Sequence, residues 1–324
     1  MKLLVLGGTV FLGRHVVAAA LASGHDVTIF HRGTSAAPTR VEALHGDRDG
    51  DVSALAKRSF DAVIDCSGYT PAQMRRTGEA LAGRVGHYLF VSTRSVYRSF
   101  PPGVDVGDGA PLLDSGDGYG ASKASSEEAI EAVMPGRVTI VRPGLLVGPF
   151  DPTGRFTYWP LRVHRGGDVL APGRPDRQVQ FIDARDLAGW CVALVEGTPS
   201  GIYDVVGRSQ TMAALLQVAH RTIGGDVRLH WVADDVLLAV GVVPWTEMPL
   251  WIPESDLAFG GLMDGNDRRA TDAGLQIRAV ADTIRDTLHW ALDPQAETPR
   301  AVATMTAQHE QLLLMTQVAV MPAP

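Results

Sequence analysis

Lys2-Leu-Leu-Val-Leu-Gly-Gly-Thr-Val-Phe-Leu-Gly13 is the stretch whose reading decides the fold. Lys2 to Leu6 is a short apolar run closed by glycines, the pattern of a strand buried on both faces. Gly7 and Gly8 force a tight turn, and Gly13 sits one turn into an apolar segment, Val16 to Leu21, that reads as a helix. Strand, glycine turn and helix suit the pyrophosphate of a dinucleotide. The turn brings backbone close to the phosphates, and the helix N-terminus offers free N–H groups and the positive end of its dipole. Gly7, Gly8, Thr9, Phe11, Leu12 and Gly13 are therefore candidate cofactor contacts.

A second strand, Asp26-Val-Thr-Ile-Phe30, follows a helix stop at Gly24. It completes a βαβ unit of about thirty residues. Beyond it, strands are expected at Ala43–His45, Ala62–Asp65, Tyr88–Val91 and Val138–Val141. Helices are expected at Arg14–Ala22, Val52–Lys57, Pro71–Ala82 and Tyr119–Val133. This alternation predicts an α/β fold, a Rossmann-like doubly wound parallel sheet with helices on both faces. From Pro149 the pattern breaks, and Pro, Gly, Arg and aromatics crowd Phe150–Pro175. A strand-like Val179–Ile182, a helix Ala184–Val195 and a strand Gly201–Val206 follow, and the remainder reads as helix and loop. The expected organisation is a dinucleotide-binding domain over 1–150, to which 176–208 return. A smaller, mostly helical substrate lobe is expected from 151–175 and 209–324, packed over the edge where open α/β sheets bind ligands.

Composition narrows the function. The 324 residues are 45% hydrophobic, enough for a sizeable core. A net charge of −7 without a basic block argues against nucleic acid as a main partner. Cys66 and Cys191 lie far apart with no CxxC spacing, which points to a reducing compartment and away from disulfides or zinc. No His/Asp/Glu cluster has metal spacing. The longest apolar run, near Val236–Trp245, is interrupted by Gly241 and Pro244 and is too short for a bilayer. With a strand starting at residue 2, no signal peptide is expected. A soluble, cytoplasmic protein is expected, with a small-molecule substrate and at most a second copy of itself, as a homodimer, for partners.

Tyr119-Gly-Ala-Ser-Lys123 carries the chemistry. Tyr and Lys four apart share one helix face. An ammonium beside a phenol favours the phenolate and suits Tyr119 to acid–base work on an alcohol or carbonyl. Between this helix and the glycine turn, Tyr88-Leu-Phe-Val-Ser-Thr-Arg-Ser-Val-Tyr97 ends a strand in a hydroxyl-rich loop, at the edge where chemistry sits in such sheets.

Taken together, these segments resemble the short-chain dehydrogenase/reductase superfamily in its extended, epimerase/dehydratase-like branch. The resemblance rests on Gly7 to Gly13, Val91 to Tyr97, Tyr119 to Lys123, Arg142-Pro-Gly-Leu-Leu-Val-Gly-Pro149 and Phe181-Ile-Asp-Ala-Arg-Asp-Leu-Ala188. It implies that Thr93 is the catalytic Ser/Thr and Tyr119 the acid/base. Lys123 would be its partner and hold the nicotinamide ribose. Pro143 and Gly144 would flank the nicotinamide, and Asp47 would contact the adenine.

Three departures shape what is expected. The central glycine of the family motif is Val10, as in an atypical GGTxFxG subgroup that includes chloroplast stem-loop RNA-binding proteins, and its side chain would crowd the phosphates unless the turn is rearranged. The second strand ends Phe30-His31-Arg32-Gly33 without a carboxylate. An Arg there suits a 2′-phosphate, so NADP is expected over NAD, which remains the alternative; His31 borders the same position, and Arg14 also lies within reach of a phosphate. Third, the Arg that grips a sugar-nucleotide diphosphate in the family is Val179 here, with Arg177 as a partial substitute on the same strand face, which argues against a nucleotide-sugar substrate.

Ser67, Tyr69, Thr93, Leu145, Phe156, Tyr158, Trp159 and Arg177 are the candidate substrate contacts, with Trp245 and Trp251 as caps. Asp183, Arg185 and Asp186 read as a structural junction, and His15 and His25 as surface residues. The implied activity is an NADP-dependent reductase or dehydrogenase acting on a carbonyl, imine or alcohol carbon. The alternatives are an epimerase or dehydratase that regenerates its cofactor in place, and a non-catalytic nucleotide- or RNA-binding protein.

Overall fold

Leu3 to Leu6 have no solvent exposure, and the strand they form, β1 (Lys2–Leu6), is an interior strand of the molecule's main sheet. The structure is a computed structural model that describes residues 1–114, 116–296 and 305–320. After β1 come α1 (Phe11–Ala22), β2 (Asp26–His31), β3 (Glu42–His45), β4 (Phe60–Asp65), α2 (Pro71–Leu81), β5 (Val85–Val91), α3 (Tyr119–Val133) and β6 (Val138–Pro143). The chain continues through β7 (Leu146–Val147), α4 (Tyr158–Arg165), β8 (Gly167–Pro172), β9 (Gln178–Val179), β10 (Ile182–Asp183), α5 (Ala184–Gly197) and β11 (Gly201–Val205). It ends with β12 (Gln210–Thr211), α6 (Met212–Ile223), β13 (Val227–Val232), α7 (Asp234–Ala239), α8 (Arg268–Asp272), α9 (Val280–Leu292) and α10 (Ala307–Val320).

Seven strands pair in the order β11-β6-β5-β4-β1-β2-β3, all parallel, which is the doubly wound sheet expected from the alternation. One face buries α1 and α5 through Val16, Val17, Ala20, Leu187, Cys191 and Val195. The other buries α2 and α3 through Met74, Leu81, Ala129 and Ile130. Gly78 of α2 lets the two helices close up: a Cβ there would sit 3.0 Å from Ile130. Strand order reverses between β1 and β4, so the crevice for a ligand opens above their carboxyl ends, between the turn after β1 and the loop after β4.

A second core lies beyond β7. Phe156, Trp159, Val163, Leu170, Leu216, Trp251 and Leu313 pack into one cluster without exposed surface of consequence. Its sheet is a parallel pair, β8 with β13, in a region whose sequence reads as irregular chain. Helix α10 closes this core. Glu310, 3% exposed, accepts from Arg162 Nε at 2.6 Å and from the Leu170 amide at 3.0 Å. Arg162 spends its remaining donors on the carbonyls of Gly166 and Asp168.

Other local expectations need correction. The helix expected over Val52–Lys57 is a single 3-10 turn, Leu55–Lys57, because only Leu55 of that segment is buried against the sheet. The strand expected over Val179–Ile182 is two separate bridges, β9 to β12 and β10 to β7, since Gln180 turns inward to bind Gly207 O and Gly265 O. His15 is no surface residue: its Nε2 lies 3.0 Å from Pro149 O, and burial lowers its pKa. The side chain of His25 is 7% exposed and pairs with Glu196 at 2.9 Å. Asp183 does cap α5, accepting from the Arg185 amide at 2.9 Å. Cys66 and Cys191 are free thiols.

Candidate active site at the carboxyl edge of the sheet

The turn after β1 is tight for steric reasons. A Cβ on Gly13 would stand 2.0 Å from the Gly7 carbonyl oxygen, so only glycine lets α1 start this close to the strand. Gly7 has φ +83° and faces Ser67, whose Cβ lies 2.6 Å from where a Gly7 Cβ would be. Gly8 is wedged between Ile29 and Val17. Val10 is extended at φ −126° and 51% exposed, and Phe11 takes φ +38°. Val10 thus occupies the capping position of α1, where it provides no side-chain hydrogen bond, and no acid sits in the first turn. The N–H groups of that turn are left for an anion.

Beyond the turn, His31 is buried at the end of β2. Its ring lies 4.7 Å from that of His45, and both its nitrogens lack partners. Burial, then the neighbouring His45, lowers its pKa. Arg32 and Asp47 are exposed at the same edge, and Asp47 Oδ1 accepts from the Asp49 amide at 3.0 Å. Pro143 ends β6, and the amide of Gly144 donates to Val205 O at 2.8 Å.

Helix α3 begins at Tyr119 after Gly118, which has φ +117°. Tyr119 is 54% exposed, yet desolvation raises its phenol above the ordinary value. The Tyr69 phenol adds to this, and interaction with the Thr93 hydroxyl opposes it. Thr93 caps the turn after β5 by accepting from the Ser95 amide at 3.1 Å. Lys123 is 3% exposed; its Nζ donates to Gly68 O at 2.8 Å and Val91 O at 2.7 Å and lies 4.1 Å from the Phe90 ring. Burial pushes it down to about 8, with Asp65 the main opposing charge. This corrects the electrostatic expectation: the ammonium is bonded to the loop carbonyls, and desolvation raises the Tyr119 phenol where the lysine was expected to lower it.

Beneath the loop after β4 lies a buried network that sequence reasoning missed. Arg48 makes a two-pronged contact with Asp65, at 2.7 and 2.8 Å. Asp65 also accepts from the Tyr88 hydroxyl at 2.6 Å and the Ser67 amide at 2.9 Å. These bonds hold the Asp65 carboxyl below its usual range despite complete burial. The signal available was a carboxylate closing an otherwise apolar strand, with an Arg directly after Asp47.

The substrate candidates divide. Ser67 and Tyr69 lie on the loop that Lys123 and Ser122 tie down, the Ser122 hydroxyl donating to Tyr69 O at 2.7 Å. Tyr69 is 55% exposed, 5.7 Å from Lys123 Nζ by its ring centre. Leu145 is partly buried against the second core, and its carbonyl accepts from the Ile182 amide. Tyr158 is 7% exposed, packed edge-on against Trp159, with charges of Arg162, Glu247 and Glu310 about it. Phe156, Trp159 and Trp251 are core as well. Arg177 is 7% exposed and donates to Ile252 O at 2.8 Å, with Asp234 4.0 Å away, so it is a brace within the lobe. Only Trp245 of the proposed caps is partly open. Among the described residues, no group of three or more His, Cys, Asp or Glu side chains could hold a metal, and no helix is long and apolar enough to cross a membrane.

This combination of sheet, glycine turn and Tyr/Lys helix defines an extended short-chain dehydrogenase/reductase. The model of the NAD dependent epimerase/dehydratase family matches residues 3–205, and the chain belongs to that family. It is similar to the chloroplast stem-loop binding protein of 41 kDa b of Arabidopsis thaliana, with 30% identity over 208 residues, 58% of this chain and 53% of that one. The chain thus spans about half the length of that relative. It is also similar to the isoflavone reductase homolog IRL of Zea mays, with 24% identity over 253 residues, 73% of this chain and 79% of that one. The UDP-glucose 4-epimerase of Thermus thermophilus, solved with NAD, shares the fold: TM-score 0.65 at 20% identity, covering 89% of this chain and 98% of that one.

Proposed function

We propose that the chain is an NADP-dependent reductase or dehydrogenase acting on a carbonyl, imine or alcohol carbon of a small molecule other than a nucleotide sugar. What supports this reading is the anchoring of the Tyr119 helix, through Lys123, to Gly68 O in the loop after β4 and to Val91 O of the strand that leads to Thr93. The uncapped start of α1 fits a pyrophosphate, and a bound nicotinamide dinucleotide would supply the hydride. Gly7, Gly8, Thr9 and the amides of Phe11, Leu12 and Gly13 would hold the phosphates. His31, Arg32 and Asp47 would line the adenosine end, and Lys123, Pro143 and Gly144 the nicotinamide end. A phenol raised in pKa is protonated at neutral pH, so Tyr119 acts as a proton donor to a developing alkoxide or amide anion, with Thr93 orienting that atom. Val179 at 0% exposure and Arg177 engaged with Ile252 support a substrate without a nucleotide diphosphate.

The test is the absorbance of NADPH during turnover of candidate carbonyl compounds. Loss in proportion to product supports net reduction. Product without loss supports the epimerase or dehydratase reading. Salt-sensitive RNA binding that survives Tyr119→Phe, with no turnover of any kind, supports the non-catalytic one.

A further inference from the structure

The segment from Gly148 to Thr157 carries the chain from the main sheet to the second core. It passes over the start of α1: Pro149 O contacts His15, and the Phe150 ring lies 4.1 Å from the Arg14 guanidinium. Phe150 has φ +68°, a strained conformation that such a side chain rarely adopts. Further on, Phe156 enters the second core against Phe181, at 4.7 Å between rings. Arg155 stands at the junction, partly open to solvent.

Several guanidinium nitrogens of this chain are enclosed without partners, among them Nε and Nη1 of Arg94 and of Arg177, but those two side chains each keep one hydrogen bond. Arg48, Arg142 and Arg162 are buried on carboxylates, and Arg94 and Arg177 hold carbonyl oxygens. Arg155 has neither: its Nε is enclosed without a hydrogen-bond partner, and among the described residues it forms no ion pair. Asp151, the one carboxylate that acts on it, is turned onto the Thr153 amide and hydroxyl, at 2.8 and 3.0 Å. The guanidinium rests 5.5 Å from the ring centre of Trp245, which is itself held at φ +64° with its amide on Trp251 O at 3.0 Å. A partly desolvated cation, backed by an aromatic plane and lacking its counter-ion, is arranged to receive one from outside.

We propose that Arg155, backed by Trp245, receives the carboxylate group of a small-molecule ligand. The planar fork of a single guanidinium matches a carboxylate, and among the described residues Asp151 is the only charged group resolved as acting on it, with no second cation to balance a phosphate dianion. This rests on the reading above in so far as the carboxylate belongs to the molecule being reduced.

The test is calorimetric titration of the full chain with oxamate, benzoate and inorganic phosphate, with and without NADPH. It is run on the wild type, Arg155→Gln and Arg155→Lys, and NADPH affinity is measured separately in each. The expected result is carboxylate binding that weakens about tenfold or more in Arg155→Gln and partly returns in Arg155→Lys, with phosphate weaker throughout and NADPH affinity unchanged. Equal carboxylate affinity in wild type and Arg155→Gln, or no carboxylate binding at all, overturns the proposal. Tighter binding of phosphate overturns the assignment of the anion. Failure of NADPH to bind defeats the reductase reading alone, because the titrations without dinucleotide still decide Arg155.

Discussion

Lys123 and Gly68 are joined by a 2.8 Å hydrogen bond from the ammonium to the loop carbonyl, so α3 and the loop after β4 are positioned as one unit. A second bond to Val91 O extends this unit to the strand that presents Thr93. The cation therefore sets the spacing between the dinucleotide crevice and the hydroxyl pair.

Lys123 is expected to titrate near pH 8. Its folded value lies below the ordinary 10.5, so between about 8 and 10.5 the unfolded chain holds a proton that the folded chain has released. Stability from this group therefore rises with pH across that window, and below it the buried ammonium is a fixed penalty. Carbon-13 labelling of lysine, assigned with Lys123→Met among the three lysines of the chain, reads the midpoint directly. A midpoint above 10 contradicts the burial argument.

Tyr119→Phe removes the proton donor and leaves the glycine turn untouched. Turnover should fall by roughly 10²–10⁴-fold while NADPH affinity holds. Unchanged steady-state rates would take Tyr119 out of the chemistry.

Arg32→Ala should weaken NADPH by about tenfold or more and NADH far less, because only the former presents a 2′-phosphate to the end of β2. Fluorescence titration of both dinucleotides compares the two losses; equal losses would mean that Arg32 does not read the phosphate.

Asp65→Ala leaves the Arg48 guanidinium buried without its counter-charge, with the Thr77 and Ser67 hydroxyls and the Met74 sulfur as its remaining partners, and should cost about 3–5 kcal/mol. The double variant Arg48→Met/Asp65→Met should recover part of that loss, since it buries no unpaired charge. Denaturant melts of the two variants and the wild type decide it, and a double variant less stable than Asp65→Ala would refute the account.

Gly13→Ala should abolish dinucleotide binding or unfold the turn, because the new Cβ would meet the Gly7 carbonyl 2.0 Å away and backbone cannot yield that far. Gly24→Ala is an inadequate control, as Gly24 has φ +79°. Ala18→Gly, on the exposed side of α1, should cost only about 1 kcal/mol and spare binding.

The main sheet was readable because its strands are buried on both faces and announce themselves as apolar runs between glycines. Leu3–Leu6 and Tyr88–Val91 needed no partner to be seen. The pair β8 and β13 was not, since Gly167–Pro172 and Val227–Val232 find each other across sixty residues of register and neither alternates cleanly. Tyr119, Lys123 and Thr93 could be placed by motif, but where Lys123 would spend its charge depended on carbonyls at 68 and 91, which no local pattern marks. That Tyr158 and Arg177 are buried was not legible for a related reason: an aromatic or a guanidinium beside an irregular loop looks like a ligand contact until the core behind it is known. Asp65 and Arg48 were missed because burial of an ion pair is a tertiary fact.

The contact between Arg162 and Glu310 has a consequence for biosynthesis. The two residues are 148 positions apart, so a nascent chain carries Arg162 through that many further additions with its carboxylate not yet made. The second core lacks Glu310 and Leu313 until α10 emerges, so a message cut short before codon 310 is expected to yield a polypeptide with a finished first sheet and an unfinished second core, a natural target for quality-control proteases.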